Sequence, residues 1–287
     1  MRNGEPSRTA WSAARYRAAH QLLEEGSIFR DPLAVQILNE PQADLLADAP
    51  RSGMRLFIAA RTRFAEDAIA AAVARGVREL VILGAGLDTF AYRNPHPQLR
   101  VTEVDHPDTQ AWKRARLAET GIAVPGGVRY AGVDFEHESL NVTLDGPAFF
   151  LWLGVVPYLT SDGFAETLSF VASGEGNEVV FDYAQSPERM APGRRAALEA
   201  RAARVAKLGE PWLTYFEPDE IDAELRGHGF TEIEDLGPSA LAARYFGRPD
   251  VPPETPGGHV LHARRQASPG QASPRQASPA SDAADRI

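Results

Sequence analysis

Residues Glu79 to Arg93 read ELVILGAGLDTFAYR, an apolar strand that runs straight into Gly84-Ala85-Gly86 and then into a helical start. A nucleotide-like ligand can lie against a strand-to-helix turn only where side chains are absent, and glycine supplies that clearance together with freedom in φ. A dinucleotide fingerprint asks for a third glycine three positions after the second, where the pyrophosphate rests on the helix N-terminus. That position is Thr89. The loop also carries Asp88, a negative charge ill suited to a pyrophosphate yet compatible with a sulfonium cofactor whose methionine end bears an ammonium. The stretch therefore favours S-adenosylmethionine over NAD, with an ordinary ligand-free turn as the competing reading.

Working outward, the next apolar run, VTEVD, ends in Asp105, nineteen residues after Gly86. An acidic side chain at about that spacing accepts hydrogen bonds from ribose hydroxyls. Glu103 points the same way by strand alternation, and a cap on the helix opening at Pro107 is the other use for Asp105. The following run ends YAGVDFE, which sets Asp134 to accept from an adenine amine and Phe135 to wall its ring. Three carboxyl-end acidic sites in succession match ligands that bind outside the carboxyl ends of parallel strands.

Seven such runs alternate with helical stretches, the pattern that builds an α/β fold, a mostly parallel seven-stranded sheet with helices on both faces. The runs are Glu79 to Leu83, Arg100 to Val104, Val128 to Val133, Pro147 to Leu153, Glu178 to Tyr183, Thr231 to Leu236 and Gly258 to Ala263. Helical periodicity marks Arg61 to Arg75, Asp108 to Gly121, Ser161 to Ser173 and Glu217 to Gly229. Ahead of the sheet, Thr9 to Glu25 reads as an Ala-rich helix, and Arg189 to Leu208 is a long helical insertion. Both are candidates to cover an acceptor. The organisation predicted is an N-terminal helical cap over 1–60, a Rossmann-like domain over 61–265 with a lid at 185–216, and a tail over 266–287. Three Gln-Ala-Ser-Pro units make that tail too poor in apolar residues to fold.

Net charge of −9 and pI near 5.3 disfavour partners that present phosphates, nucleic acid and anionic membrane alike. The chain has no cysteine, which excludes thiolate chemistry and disulfides. No stretch reaches the about 18 apolar residues of a membrane span, and the N-terminus is polar, so a cytoplasmic location is expected. The histidines show no paired spacing for a metal, and His259 and His262 fall on opposite faces of a strand.

Together LGAGLDTFAYR, EVDHP, GVDFE and LGVVPYL resemble the leucine carboxyl methyltransferase family and its bacterial relatives, over about Thr9 to Ala263. The resemblance implies a class I methyltransferase fold, S-adenosylmethionine as cofactor and a carboxylate or hydroxyl acceptor on a small molecule or peptide. It implies that Arg61, in RTRFAED, holds the cofactor's carboxylate, that Gly84, Ala85 and Gly86 line its backbone, that Asp105 takes the ribose and that Asp134 and Phe135 take the adenine. The N-terminal segment ending in Asp31-Pro32 matches the family's helical entry. One departure stands out: Leu153 occupies a position where the family often has glutamate.

Methyl transfer to a carboxylate needs positioning and desolvation more than a base. A hydroxyl acceptor needs a base, for which His106, Tyr158 and the Asp182-Tyr183 pair are candidates, each also explicable as a loop, packing or capping residue. An NAD-dependent oxidoreductase and a catalytically silent cofactor-binding module are the rival functions. Trp152, Tyr158, Trp212, Tyr215 and Phe216 supply aromatic surface for an acceptor wall, or for core packing.

Overall fold

The computed structural model describes residues 7–47, 53–135, 137–207 and 209–266; the expected tail, beyond Gln266, lies outside them. One sheet contains β1 (Glu79–Leu83), β2 (Arg100–Asp105), β3 (Val128–Gly132), β4 (Ala148–Trp152), β5 (Glu178–Ala184), β6 (Glu232–Leu236) and β7 (Gly258–Arg264). Its order is β3-β2-β1-β4-β5-β7-β6. Strands β1 to β5 pair in parallel, and β7 runs antiparallel to both β5 and β6. The seven expected runs are thus the seven strands, each within a residue or two of its predicted ends.

Strands β1 and β4 are buried at all five positions, as central parallel strands must be when helices cover both faces. Alternation sends Val81, Leu83, Phe150 and Trp152 to one face and Leu80, Ile82, Phe149 and Leu151 to the other. On the first face these meet α7 (Ser161–Ala172) and α9 (Pro218–Gly227) through Phe164, Leu168, Ile221 and Leu225. On the second they meet α4 (Met54–Arg75), α5 (Phe90–Arg93) and α10 (Pro238–Phe246) through Phe64, Ile69, Phe90 and Leu241. A third apolar cluster joins α1 (Arg8–Leu23), α2 (Leu33–Leu38) and α6 (Pro107–Glu119) through Ala14, Ile37 and Leu117. The remaining helices are α3 (Gln42–Leu46) and α8 (Pro192–Ala206).

Two boundaries differ from those read in the sequence by more than two residues. The boundary drawn between 60 and 61 falls inside α4, which starts at Met54 because MRLFIAA continues the apolar face of the RTRFAED segment. It ends where Gly76 takes φ +109 and donates to the carbonyls of Ala72 and Val73, a left-handed stop that only glycine adopts at little cost. The insertion expected over 189–208 is a 3-10 turn over Pro187–Arg189 followed by α8, whose Pro192 opens the helix.

Candidate functional site

The sheet changes direction of winding between β1 and β4, since β1 carries β2 on one side and β4 on the other. A crevice opens at the carboxyl ends of strands at such a switch point. The Gly84-Ala85-Gly86 turn leaves β1 at this point. Gly84 has φ +63 and Gly86 has φ +44. A Cβ on Gly84 would lie 2.3 Å from the Val155 side chain, and one on Gly86 would lie 2.9 Å from Ala10 of α1. The glycines therefore admit both a left-handed backbone and the close approach of α1. Ala85 ties the turn to β2 by donating to the Val104 carbonyl at 3.0 Å.

Asp105 ends β2 and faces this turn. Its Oδ2 accepts the Gly86 amide and its Oδ1 the His106 amide. Burial pushes its carboxyl above the usual carboxylate range, while the two amides pull the other way. The cap on α6 is not Asp105 but His106, whose Nδ1 accepts from the Asp108 amide at 3.2 Å. Asp105 therefore caps no helix and closes on the Gly84-Ala85-Gly86 turn instead. Glu103, its rival, is 1% exposed and held by Lys113 at 2.9 Å and Tyr92 at 2.8 Å. It belongs to the interior between β2 and α6. Asp134 and Phe135 follow β3; the Asp134 carboxylate lies 3.9 Å from His106 Nε2 and 3.2 Å from His137 Nδ1, and Phe135 packs against the first-face core.

Thr89, at the third-glycine position, is fully buried and donates to Asp31 at 2.6 Å. Asp31 is itself inaccessible, accepts the Leu33 amide, and lies 3.6 Å from Arg17 and 3.4 Å from Arg93. Arg17 of α1 in turn donates to the Leu87 carbonyl of the turn. A side chain needed to anchor the N-terminal segment thus fills the space where a dinucleotide fold has none. Asp88 accepts the Phe90 amide at 2.7 Å and so opens α5. Sequence reading missed this Arg17-Asp31-Thr89-Arg93 cluster beyond its Asp-Pro pair, because its members are spread over the chain.

Arg61, on α4, reaches the carboxyl ends of β4 and β5, where its Nη1 donates to Asp182 Oδ2. Asp182 Oδ1 accepts the Gly154 amide, next to Leu153. Leu153 itself packs against the second-face core. Arg61 Nε is buried and has no hydrogen-bond partner among the described residues.

Beside this pair lies a cavity of about 490 Å³, a size that suits a drug-sized molecule. Met54, Phe57, Met190, Leu198, Trp212 and Leu241 contribute apolar walls. Among its described lining residues the charged ones are Arg61, Arg194 and Asp182, a net positive lining in a chain of net charge −9. Tyr158, ending a 3-10 turn over Val156–Tyr158, lines it as well, whereas His106 does not. Of the aromatic residues considered for this wall, Tyr158 and Trp212 belong to it. Trp152 instead stacks on Phe164 at 5.5 Å between ring centres and is fully buried, and Phe216 packs on the same Phe164. Both are core.

These features fit a nucleoside that carries an amino-acid zwitterion. The unpartnered Arg61 Nε suits a carboxylate, and the Asp105 carboxylate, with two amides bound, keeps lone pairs for ribose hydroxyls.

The leucine carboxyl methyltransferase family model matches residues 10–172. A protein of Bacillus subtilis (strain 168) that carries the provisional name S-adenosyl-L-methionine-dependent methyltransferase YktD is 32% identical over 237 residues, spanning 78% of this chain and 77% of that protein. A similarly named protein of Parafrankia sp. (strain EAN1pec) is 35% identical over 230 residues, spanning 74% of this chain and 69% of its own length. A solved structure from Bordetella parapertussis, described as a possible exported protein, is alike in fold, with TM-score 0.51, 15% identity and coverage of 92% of this chain and 98% of that one.

Proposed function

The chain belongs to the leucine carboxyl methyltransferase family and is an S-adenosylmethionine-dependent methyltransferase, and from that premise we propose that it methylates a carboxylate oxygen of an acceptor seated in the 490 Å³ cavity. The observation that carries this reading is the lining of that cavity, mainly apolar and net positive through Arg61 and Arg194 against Asp182. Bound in the crevice, the cofactor supplies a methyl group on a sulfonium, already activated for displacement. The residues proposed to hold it are Arg61, Gly84, Ala85, Gly86, Asp105, Asp134 and Phe135.

The chain's own part is then positioning and exclusion of water. A carboxylate is a nucleophile without losing a proton, so no base is required of Tyr158. Its hydroxyl and Arg194 orient the acceptor, and the apolar walls strip its hydration, which raises the reactivity of an anionic oxygen. A volume of about 490 Å³ favours a small molecule or a short terminal segment over a folded surface. Among the described residues no helix is long and apolar enough to cross a membrane, and we place the reaction in the cytoplasm.

The test is a methyl-incorporation screen of apolar carboxylic acids against the matching alcohols and phenols. Turnover confined to the acids, and reduced at least about tenfold in Arg194→Ala, supports the reading. Turnover of the alcohols or phenols alone overturns it in favour of a hydroxyl acceptor.

A further inference from the structure

Arg61 and Asp182 come from α4 and β5, and their side chains are 8% and 7% exposed. Desolvating two opposite charges cancels most of their attraction, so such a pair adds little that an apolar pair would not. This one also lies at a cavity wall rather than deep in a core. Gly154 turns at φ +74, and a Cβ there would lie 3.0 Å from Arg61 Nη2, so the guanidinium lies flat against the turn that leaves β4. Among the described residues Arg61 Nε finds no hydrogen-bond partner, and Asp182 is the one carboxylate among those that line the cavity. Leu153, which ends the same stretch, offers no charge and is turned into the second-face core.

The methionine end of the cofactor is a zwitterion and needs one cationic and one anionic partner. We propose that Asp182 is the anionic one: it binds the cofactor's ammonium while Arg61 binds the carboxylate, so a carboxylate on β5 does the work that Leu153 cannot do after β4. The exchange conserves pairing, because each buried charge has an opposite charge beside it both before and after the ligand enters. The Gly154 amide holds Asp182 in place through that exchange. This assignment rests on the cofactor reading given above.

Calorimetric titration separates the two. The ligands are S-adenosylhomocysteine, its analogue with the amino group replaced by hydrogen, and 5′-methylthioadenosine, which lacks the zwitterion altogether. The wild type should bind the deaminated analogue at least about tenfold more weakly than S-adenosylhomocysteine. Asp182→Asn, which keeps the shape and an acceptor for Gly154, should weaken S-adenosylhomocysteine by a similar factor, leave 5′-methylthioadenosine unchanged and show no further loss with the deaminated analogue. Equal binding of the amino and deaminated ligands by the wild type overturns the assignment with no need of a variant. So does a variant in which 5′-methylthioadenosine weakens as much as S-adenosylhomocysteine, the mark of a structural role. A wild type that binds none of the three overturns the cofactor reading and the assignment together.

Discussion

Asp31 is inaccessible to solvent and has Thr89, Arg17 and Arg93 around its carboxylate. Arg17 is itself buried, and desolvation lowers its pKa, with Asp88 and Asp31 opposing. Removing that carboxylate leaves the buried Arg17 without its ion-pair partner, while Arg93 keeps Glu66, so Asp31→Ala should cost on the order of 3–5 kcal/mol in a urea unfolding experiment. Gly84→Ala places a methyl into Val155 at a positive φ. Strain in φ alone costs roughly 1–2 kcal/mol, and weakened binding of S-adenosylhomocysteine should accompany it. Asp105 gives a pH prediction. Its folded pKa is raised by burial, so its ionised form opposes folding above that pKa and the opposition is relieved as pH falls through it. Ligand affinity moves the other way, because only the carboxylate accepts from both amides and ribose. Affinity for S-adenosylhomocysteine should therefore fall on acidification with a midpoint above the about 3.9 of an ordinary aspartate, and that midpoint should vanish in Asp105→Asn.

Helix α8 is the least anchored element of the fold. None of its described side chains is buried, and Leu198, half-exposed, turns toward the cavity. Such a helix opens at low cost. Besides the carbonyls that its Arg194 and Arg195 reach, it is tied by Glu210, just beyond its end, whose carboxylate accepts from Ser7 Oγ at 3.0 Å, the Arg8 amide at 3.1 Å, the Thr9 amide at 3.2 Å and Thr9 Oγ1. An anion at a helix N-terminus is favoured by the free amides and the dipole there. Glu210 thereby links the cover of the acceptor cavity to α1, whose Ala10 touches Gly86. Glu210→Ala should leave global stability within about 1 kcal/mol, raise hydrogen exchange at Thr9, Ala10 and α8, and raise the KM for the acceptor. Unchanged exchange in both helices would show that the link does not hold the cover. The helix itself was legible in the sequence as an insertion placed to cover the acceptor, but the Glu210 link was not, because about two hundred positions separate Glu210 from its donors and no local signal joins them.

At the scale of the whole molecule, the strands were legible because β1 and β4, buried on both faces, must be nearly all apolar, and because glycines mark the turns that follow. Helices α2, α3 and α10 were not, since five to nine residues are too few to display a period. Of the candidate site residues, those on β-strand ends are legible from spacing: Gly84, Gly86 and Asp105 converge as expected. Arg61 came from the family resemblance, because a helix arginine carries no sign of its partner 121 positions away. Tyr158 reaches the cavity and His106 caps α6, a division decided by the tertiary path of two loops rather than by either residue's neighbours. Asp105 is the residue proposed to hold S-adenosylmethionine in this crevice. Calorimetric titration of the protein with S-adenosylmethionine and, separately, NAD, repeated on Asp105→Ala, tests it most directly. Micromolar binding of S-adenosylmethionine, absent in the variant, with no binding of NAD, is the predicted result; binding of NAD alone, or S-adenosylmethionine bound equally by both proteins, would contradict it.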